Sequence, residues 1–377
     1  MIKEVVLQKL RLYNFRNHHD LHVELSPGIN FFIGNNGTGK TNILEAIYFM
    51  NFCRSPRVSS LSDFIYWGAQ ESKLEGTVLR RDKSYNISYI LEKINSRVKT
   101  NIFVDNEKSN LNKTIGILPL VYFEPSDILL IRGEPGLRRR TLNSMQLQIT
   151  DENNWIDIIR KNTQALKERN VLLKQIKNGR SIPKELAIYT EILIETSSKI
   201  RFWRNNFIKE MNTLMLPILK ELTNKEEETV FMQYLLGKIN LCPNEEESIL
   251  AYTREEFERK KRDELFRGTT LSGASRDDIQ FIFKDHPAIN SASQGQQKSI
   301  IMTFKLAEAK YLQNKLALKP LVILDDILSE LDVHRQNYLM ELIQNELLGQ
   351  TFIASADVSN VQSYLQSSQN KNFLLPF

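Results

Sequence analysis

A glycine-rich segment near the N-terminus constrains the fold of this chain more than any other feature. It fits the pattern GxxxxGK[ST] without a gap and reads Gly34-Asn35-Asn36-Gly37-Thr38-Gly39-Lys40-Thr41. At average composition, a chain of this length contains such a match by chance roughly one time in a hundred. Residues 30–33 before it, which are apolar from Phe31 onwards, favour a strand, and residues 42–50 after it have helical spacing. A strand, a glycine-rich turn and a helix form a loop whose backbone N–H groups hold phosphates, so the chain is predicted to bind a nucleoside triphosphate.

The chemistry of this loop depends on two of its side chains and on a distant acidic segment. Lys40 is expected to reach the β- and γ-phosphates, and the Thr41 hydroxyl is expected to ligate Mg²⁺. The apolar run 322–324 predicts a buried strand, and it ends in Asp325 and Asp326. We expect Asp325 to hold Mg²⁺ through water and Asp326 to orient or deprotonate the attacking water. Taken alone, these carboxylates could equally mark a strand that ends in an acidic turn.

The composition excludes several classes of protein. The 377 residues are 41% hydrophobic and 25% charged, as in ordinary globular proteins, and this length allows two domains or one with a large insertion. No apolar run approaches the ~20 residues that cross a membrane, and an N-terminus with the early acid Glu4 and no long apolar stretch does not fit a secretory signal. The two cysteines, Cys53 and Cys242, are too far apart for a metal motif and fit the reducing cytoplasm.

The spacing of apolar residues changes twice along the chain. Residues 1–105 contain short β-rich runs separated by turns, which predict strands. From about 151 the helical period predicts a hairpin of two helices with a coiled-coil-like seam, whose core includes Trp155, Trp203 and Phe207. Its second helix is expected to span about 35 residues, with Pro217 kinking or ending it, and 229–236 to form a strand. Further strands are expected at 279–283, 321–324, 351–354 and 372–375. Further helices are expected at 299–312 and 333–346.

These patterns predict an α/β protein with two parts. The head is expected to comprise residues 1–150 and 268–377, with a β-rich N-terminal lobe and a parallel sheet. The arm, residues 151–267, is expected to be mainly helical and to be inserted into the head.

Positive charge is concentrated in the predicted arm. The whole chain carries +5, whereas residues 160–220 contain 13 Lys and Arg against 5 Glu, a local net charge of +8. A basic segment attached to a mildly acidic remainder favours a polyanionic partner such as DNA, although a solvated helix face is the alternative. Candidate DNA contacts on the first arm helix are Lys167, Lys174 and Lys177. A second basic group either contacts phosphates or forms ion pairs, and it consists of Arg138, Arg139 and Arg140.

A polar segment far downstream of the phosphate loop is a further candidate site. We call Ser293-Gln294-Gly295-Gln296-Gln297 the signature segment; it precedes the predicted helix 299–312 and binds an anion or simply caps that helix. The order of phosphate loop, signature segment, acidic strand end and Ser329-Glu330-Leu331-Asp332 resembles the ABC-type ATPase heads of the SMC superfamily. In such heads the signature of one subunit closes over the γ-phosphate bound to the other. The resemblance therefore implies that Ser293, Gly295 and Gln296 contact nucleotide across a homodimer.

Further motifs narrow the resemblance to the RecF family of bacterial recombination ATPases. They are Leu12-Tyr13-Asn14-Phe15-Arg16-Asn17, Pro27-Gly28-Ile29-Asn30, Asn42–Ala46, Arg54–Arg57, Phe123–Asp127, Gly133–Pro135, Gln294–Gln297 and Lys305–Glu308. The resemblance covers both head portions, whereas the arm matches in character and size only. It implies that Gly34–Thr41 bind ATP, that Asp325 and Asp326 are the Walker B pair, that Ser329–Asp332 form the D-loop, and that Arg16 lies near the nucleotide. The chain departs from the family at Gly273-Ala274-Ser275-Arg276-Asp277-Asp278, where Gly-Pro-His-Arg-Asp-Asp is usual.

The resemblance implies an ATP-dependent DNA-binding protein of recombinational repair and replication that supports the SOS response. Two heads are expected to dimerise around two ATP molecules with Mg²⁺ and to clamp duplex or gapped DNA with little sequence preference. Weak ATP hydrolysis, with Lys40 and Asp326 as catalytic residues, is expected to release the DNA. Partners of the RecO and RecR type and a cytoplasmic location are implied.

The alternative is an ABC-type energy subunit of a membrane transporter. Such a subunit needs a coupling surface for a membrane partner. The basic hairpin and the segment Asn14-Phe15-Arg16-Asn17 argue against it.

Overall fold

The computed structural model describes residues 3–57, 60–95, 97–149, 154–180, 183–237, 245–344, 349–356 and 370–375. Contacts divide the chain into two compact units, one comprising 1–128 and 302–377 and the other 129–301. Each unit is described below by itself. Within the described ranges, no helix is long and apolar enough to cross a membrane.

The strands and helices have the following bounds. The strands are β1 (Lys3–Phe15), β2 (His18–Glu24), β3 (Ile29–Ile33), β4 (Glu71–Arg80), β5 (Lys83–Ile94), β6 (Arg97–Val104), β7 (Glu107–Ser109), β8 (Leu120–Phe123), β9 (Val230–Leu235), β10 (Asp278–Phe283), β11 (His286–Pro287), β12 (Leu318–Lys319), β13 (Leu321–Asp325), β14 (Thr351–Ser355) and β15 (Lys371–Leu374). The α-helices are α1 (Lys40–Phe52), α2 (Leu111–Thr114), α3 (Leu129–Arg132), α4 (Pro135–Ile149), α5 (Asn154–Lys177), α6 (Pro183–Thr223), α7 (Glu246–Arg267), α8 (Ala288–Ser291), α9 (Gln294–Leu316) and α10 (Val333–Gln344).

The first unit contains the predicted β-rich lobe. Its larger sheet has the order β12-β1-β4-β5-β6-β7, and β2 pairs with β1. Neighbouring strands are antiparallel except β1 and β12. Alternate residues of β4 are buried, as in a sheet with one face on the core. The expectation of strands in residues 1–105 is confirmed.

The second sheet of the first unit is parallel and carries the phosphate loop. Its order is β15-β3-β14-β13-β8, and every residue of β3, β13, β14 and β8 is buried. Buried parallel strands need continuous apolar runs, which is why the strands around 31–33 and 321–324 could be recognised in the sequence. Since parallel strands share their carboxyl edge, the ends of β3 and β13 lie at the same edge of the sheet. The mixed α/β class is confirmed.

The second unit contains the predicted helical hairpin. α5 and α6 pack along one another, and α7 packs against both. Trp155 and Phe207 are buried, and Trp203 contacts both of their rings. α6 has 41 residues and continues through Pro217 to Thr223, so Pro217 does not end this helix, and the alternative that it kinks the helix stays a prediction. The expected strand at 229–236 is confirmed as β9, which pairs antiparallel with β10.

The second unit extends beyond the predicted arm on both sides. Residues 129–150 and 268–301, which we assigned to the head, belong to it by their contacts. β9 pairs with β10 along its whole length, and Arg138 on α4 forms an ion pair of 2.8 Å with Asp278 at the start of β10. The predicted boundaries at 151 and 267 therefore differ from those of the compact units.

Candidate nucleotide-binding site

The phosphate loop has a backbone that only glycine adopts easily. β3 ends at Ile33 and α1 begins at Lys40, so residues 34–39 form the predicted turn. Gly37 and Gly39 have φ values of 89° and 98°, in the left-handed region. A Cβ on Gly39 would lie 2.5 Å from Nε2 of His18, so a larger residue there would clash. No side chain caps α1, and its first N–H groups are available to an anion.

The two functional side chains of the loop occupy defined positions. Lys40 is 4% exposed, and its ammonium donates to the carbonyl oxygens of Gly34 at 2.7 Å and Asn35 at 2.8 Å. The Thr41 hydroxyl donates to Oδ1 of Asp325 at 2.8 Å. The structure thus brings the predicted Mg²⁺ residues, 284 positions apart in the sequence, into direct contact.

The acidic strand end contains two carboxylates in different environments. Asp325 is buried at the end of β13, and its second oxygen, Oδ2, accepts a hydrogen bond of 2.7 Å from the Tyr122 hydroxyl. Asp326 is half-buried and has a φ of 53°. Burial and then the charge of Asp325 raise the pKa of Asp326 above that of an ordinary aspartate, which suits a group that accepts a proton from water. The Ser329 hydroxyl, in the predicted D-loop, donates to the Asp326 carbonyl at 2.8 Å.

Two residues beside the loop were not assigned to it from the sequence. The amide of Asn17 donates to the Gly37 carbonyl at 3.4 Å and accepts from Asn42 at 2.8 Å. A ring nitrogen of His18 lies 3.1 Å from the Gly39 carbonyl, and burial lowers the pKa of His18. In the sequence, these residues stand out only as part of a polar run after Phe15. That run does not indicate that they contact the phosphate loop.

Arg16 lies between Phe15 and these two residues, but its guanidinium faces a carboxylate. Nε and Nη2 donate to Glu45 at 2.8 and 2.7 Å, and Nη1 donates to the Asp63 carbonyl at 2.9 Å. Glu45 belongs to α1, the helix that follows the phosphate loop. The contact of Arg16 with a nucleotide, which the resemblance implies, stays a prediction.

The signature segment lies in the second unit, at the start of α9. The helix begins at Gln294, five residues earlier than predicted, because Ser293 and Gln296 form a capping box. The Ser293 hydroxyl accepts from the Gln296 N–H at 3.3 Å, and the Gln296 side chain accepts from the Ser293 N–H at 2.9 Å. Ser293 and Gly295 are exposed, and a Cβ on Gly295 would meet no atom within 4 Å. This part of the segment is open to an approaching group.

The basic residues of the predicted arm divide into exposed and buried groups. Lys167, Lys174 and Lys177 are exposed, as a DNA contact requires. Arg169 is 2% exposed and donates to Glu264 on α7 at 2.7 Å, whereas Arg201 is fully buried and pairs with Glu256 and Asp277 at 2.8 Å. Part of the local charge of +8 therefore stabilises the packing of the helices rather than facing a partner.

The three consecutive arginines on α4 also differ from one another. Arg138 donates twice to Asp278, at 2.8 and 2.9 Å, and Arg139 donates to the Asp277 carbonyl at 2.7 Å. Arg140 is exposed. For Arg138 the ion-pair alternative is the one observed, and Arg140 is the most accessible of the three to a phosphate.

The segment that departs from the family pattern, 273–278, has a structural role in this chain. Asp277 accepts hydrogen bonds from Arg201 and from the Tyr234 hydroxyl, the latter at 2.7 Å. The Arg276 side chain donates to the Thr270 carbonyl. The two acids and the arginine that this chain retains thus hold α4, α6 and β9 together without the usual histidine.

Comparison with known proteins gives concordant matches over nearly the whole chain. A family model described as the RecF/RecN/SMC N-terminal domain matches residues 6–370. The DNA replication and repair protein RecF of Listeria welshimeri is 32% identical over 358 residues, which cover 94% of each chain. A solved structure described as the recombination mediator protein RecF with ATP in the RecFOR pathway has a TM-score of 0.85 and 27% identity, and covers 95% of this chain and 93% of that one. A further solved structure is an SMC head bound to the winged-helix domain of ScpA. It has a TM-score of 0.53 and 14% identity, and the match covers 95% of this chain and 91% of that one. At this identity the similarity shows a shared fold only.

Proposed function

The chain belongs to the RecF/RecN/SMC family and, within it, to the RecF proteins, and from this premise we propose that it is an ATP-dependent DNA-binding protein of replication and recombinational repair. Head dimerisation driven by ATP clamps duplex or gapped DNA, and slow hydrolysis releases it. The function includes support of the SOS response and is carried out in the cytoplasm.

The observation that carries the proposal is the hydrogen bond from Thr41 to Asp325. A hydroxyl has one proton and two lone pairs, and because the proton is directed to Asp325, the lone pairs of the Thr41 oxygen remain for a cation. Hydroxyl and carboxylate oxygens are the ligands that Mg²⁺ prefers, so these residues fit this ion. When bound, Mg²⁺ neutralises charge on the phosphates.

The other residues of the site have complementary tasks. The Lys40 ammonium carries three protons and lies inside the loop, where it can donate to phosphate oxygens in place of the Gly34 and Asn35 carbonyls. Asp326, with its raised pKa, orients the attacking water and accepts its proton. Loss of the charge on Asp326 therefore reduces hydrolysis more than nucleotide binding.

The signature segment supports a site shared between two copies of the chain. Ser293 and Gly295 are exposed and lie beside the N-terminal end of α9, which favours negative charge. In a two-fold dimer each copy contributes one phosphate loop and one signature segment, giving two composite sites. Partners of the RecO and RecR type follow from the RecFOR pathway that the description of the neighbouring RecF structure names.

The proposed DNA contacts are the exposed lysines of α5, with Arg140 as a further candidate. Lys167, Lys174 and Lys177 have no ion-pair partner among the residues that the structure describes. Lysine–phosphate contacts carry no sequence information, so DNA binding is expected to be salt-dependent and weakly sequence-specific. The transporter alternative has no support among the relatives reported above.

The decisive experiment measures the mass of the protein in solution with ATP, with ADP and without nucleotide, each with and without duplex DNA. The wild type should dimerise with ATP and retain DNA in that state. The Lys40→Arg variant should neither dimerise with ATP nor retain DNA, because a guanidinium does not replace an ammonium in the phosphate cradle. Lys99→Arg, a change at an exposed lysine of β6, is the matched control and should behave as the wild type. If neither the mass of the wild-type protein nor its retention of DNA changes when ATP is added, the proposal is overturned.

A further inference from the structure

Tyr122 is a polar residue in an otherwise apolar strand. All four residues of β8 are buried. A buried tyrosine hydroxyl needs a hydrogen-bond partner, and this one donates to Oδ2 of Asp325 at 2.7 Å. Tyr122 lies opposite Ile323 in the parallel pair of β8 and β13. Because side chains alternate along a strand, Asp325 lies on the same face two residues farther on, within reach of the tyrosine.

The hydroxyls of Tyr122 and Thr41 occupy both oxygens of the Asp325 carboxylate. Tyr122 donates to Oδ2 and Thr41 donates to Oδ1. With one oxygen held by the neighbouring strand, the carboxylate keeps the other directed at the first turn of α1. A tyrosine hydroxyl carries its proton at neutral pH, so the Tyr122 hydroxyl is a donor to this carboxylate.

The position of Tyr122 is itself fixed by the elements around the phosphate loop. Its ring meets that of Tyr48 edge to face, with the ring centroids 5.5 Å apart, and Tyr48 lies on the same helix as Thr41. The buried Lys305 donates to the Tyr122 carbonyl at 2.8 Å and pairs with Asp127 at 3.1 Å. The tyrosine therefore links the helix of the phosphate loop to the Walker B strand.

We propose that Tyr122 is a positioning residue for the metal–nucleotide site. It holds Asp325 so that the Thr41 proton stays directed to the carboxylate and the Thr41 lone pairs stay directed to Mg²⁺. This rests on the proposed function, because it concerns that same site. Outer partners that orient metal ligands typically contribute about 10- to 100-fold to metal affinity, and the loss of the Tyr122 hydroxyl should have an effect of this size.

The test measures binding of a fluorescent ATP analogue in EDTA and at increasing Mg²⁺ concentration. Tyr122→Phe removes the hydroxyl and keeps the ring. Tyr89→Phe is the matched control, because Tyr89 is fully buried in the same unit and donates to the Met50 carbonyl instead of Asp325. Melting temperatures of both variants report the structural cost of losing a buried hydrogen bond. Tyr122→Leu is a second variant without a hydroxyl, for use if the phenylalanine variant does not fold.

We expect Tyr122→Phe to need about 10- to 100-fold more Mg²⁺ than the wild type, with unchanged nucleotide binding in EDTA. Tyr89→Phe should match the wild type in both measurements. In a Thr41→Ala background, the tyrosine substitution should have little further effect, because both act on the same ligand. An unchanged Mg²⁺ requirement, or an equal loss of binding with and without metal, would overturn the inference. Absence of nucleotide binding by the wild type would instead overturn the proposed function.

Discussion

The guanidinium of Arg16 donates two parallel hydrogen bonds to the carboxylate of Glu45, at 2.8 and 2.7 Å. Glu45 is fully buried, whereas Arg16 is 16% exposed, and the Ser55 hydroxyl donates to the same carboxylate. Because Arg16 belongs to the turn between β1 and β2 and Glu45 to α1, the pair connects the β-rich lobe to the helix of the phosphate loop.

Arg16→Ala should therefore destabilise the protein strongly. It leaves the Glu45 charge buried without its main partner, which typically costs about 3 to 5 kcal/mol. The measurement is chemical denaturation. The control is Arg11→Ala, which removes an exposed pair of 3.5 Å with Asp20 and should cost at most about 1 kcal/mol. Equal effects of the two substitutions would contradict a structural role for the buried pair.

Asp326→Asn should separate ATP binding from hydrolysis. The amide keeps the shape of the side chain but cannot accept the proton of the attacking water, whereas Thr41 and Asp325 keep their hydrogen bond. We expect slower hydrolysis, retained ATP binding and a longer-lived dimer, measured by phosphate release and by sizing after ATP addition. Hydrolysis at the wild-type rate would show that another residue orients the attacking water.

Ser293→Arg tests whether the site is shared between two copies. A bulky cation on the exposed signature segment should prevent dimerisation without affecting ATP binding to the single chain. When this variant is mixed with Lys40→Arg, one site of the heterodimer combines both damaged halves and the other combines both intact halves. We expect partial recovery of ATPase activity on mixing. Two inactive variants that stay inactive at every ratio would argue against a composite site.

Replacing Lys167, Lys174 and Lys177 together by Gln should weaken DNA binding similarly for unrelated sequences. Each lost phosphate contact should flatten the dependence of log K on log salt concentration by about 0.9 for duplex DNA. Arg169 is left intact because its buried pair with Glu264 stabilises the helices. The measurement is DNA affinity at several salt concentrations with ATP present, together with sizing, which should be unchanged.

The matched control for this triple variant changes three exposed lysines of the first unit, Lys99, Lys108 and Lys113, to Gln. It alters the net charge equally and should leave the salt dependence near that of the wild type. If the two triple variants behave alike, DNA binding reflects overall charge or another surface rather than α5.

Glu308→Gln should change how stability depends on pH. Glu308 is buried 3.7 Å from Lys305, beyond hydrogen-bond distance, and burial raises its pKa to about 7. Because the folded state holds this proton more tightly than the unfolded state, the contribution to stability is full below the ordinary pKa of 4.5 and is lost as the pH rises through about 7. Near pH 5 the variant and the wild type should have similar free energies of unfolding. Near pH 8 the variant should be more stable by about 1 to 3 kcal/mol.

Thermal melting at the two pH values checks this prediction. Glu107→Gln, at an exposed position of β7, is the control and should show no such difference between the two pH values. A stability difference between Glu308→Gln and the wild type that is equal at both pH values would contradict the assignment.

The sequence alone determined the phosphate loop, the acidic strand end and most strands and helices. These features depend on local properties of the chain. Gly37 and Gly39 permit left-handed backbone, continuous apolar runs specify buried parallel strands, and a helical period specifies α5 and α6. Each can be recognised within a few neighbouring residues.

The tertiary structure decided which polar groups pair across the chain. Tyr122 and Asp325 are 203 positions apart, and Arg169 and Glu264 are 95 apart. The helical period places Arg169 on the buried seam of α5 and Lys167 off it, but no local pattern identifies the partner of that buried charge. Burial separates them, since a charge removed from water must find a partner, and only the packing of α5 against α7 supplies one.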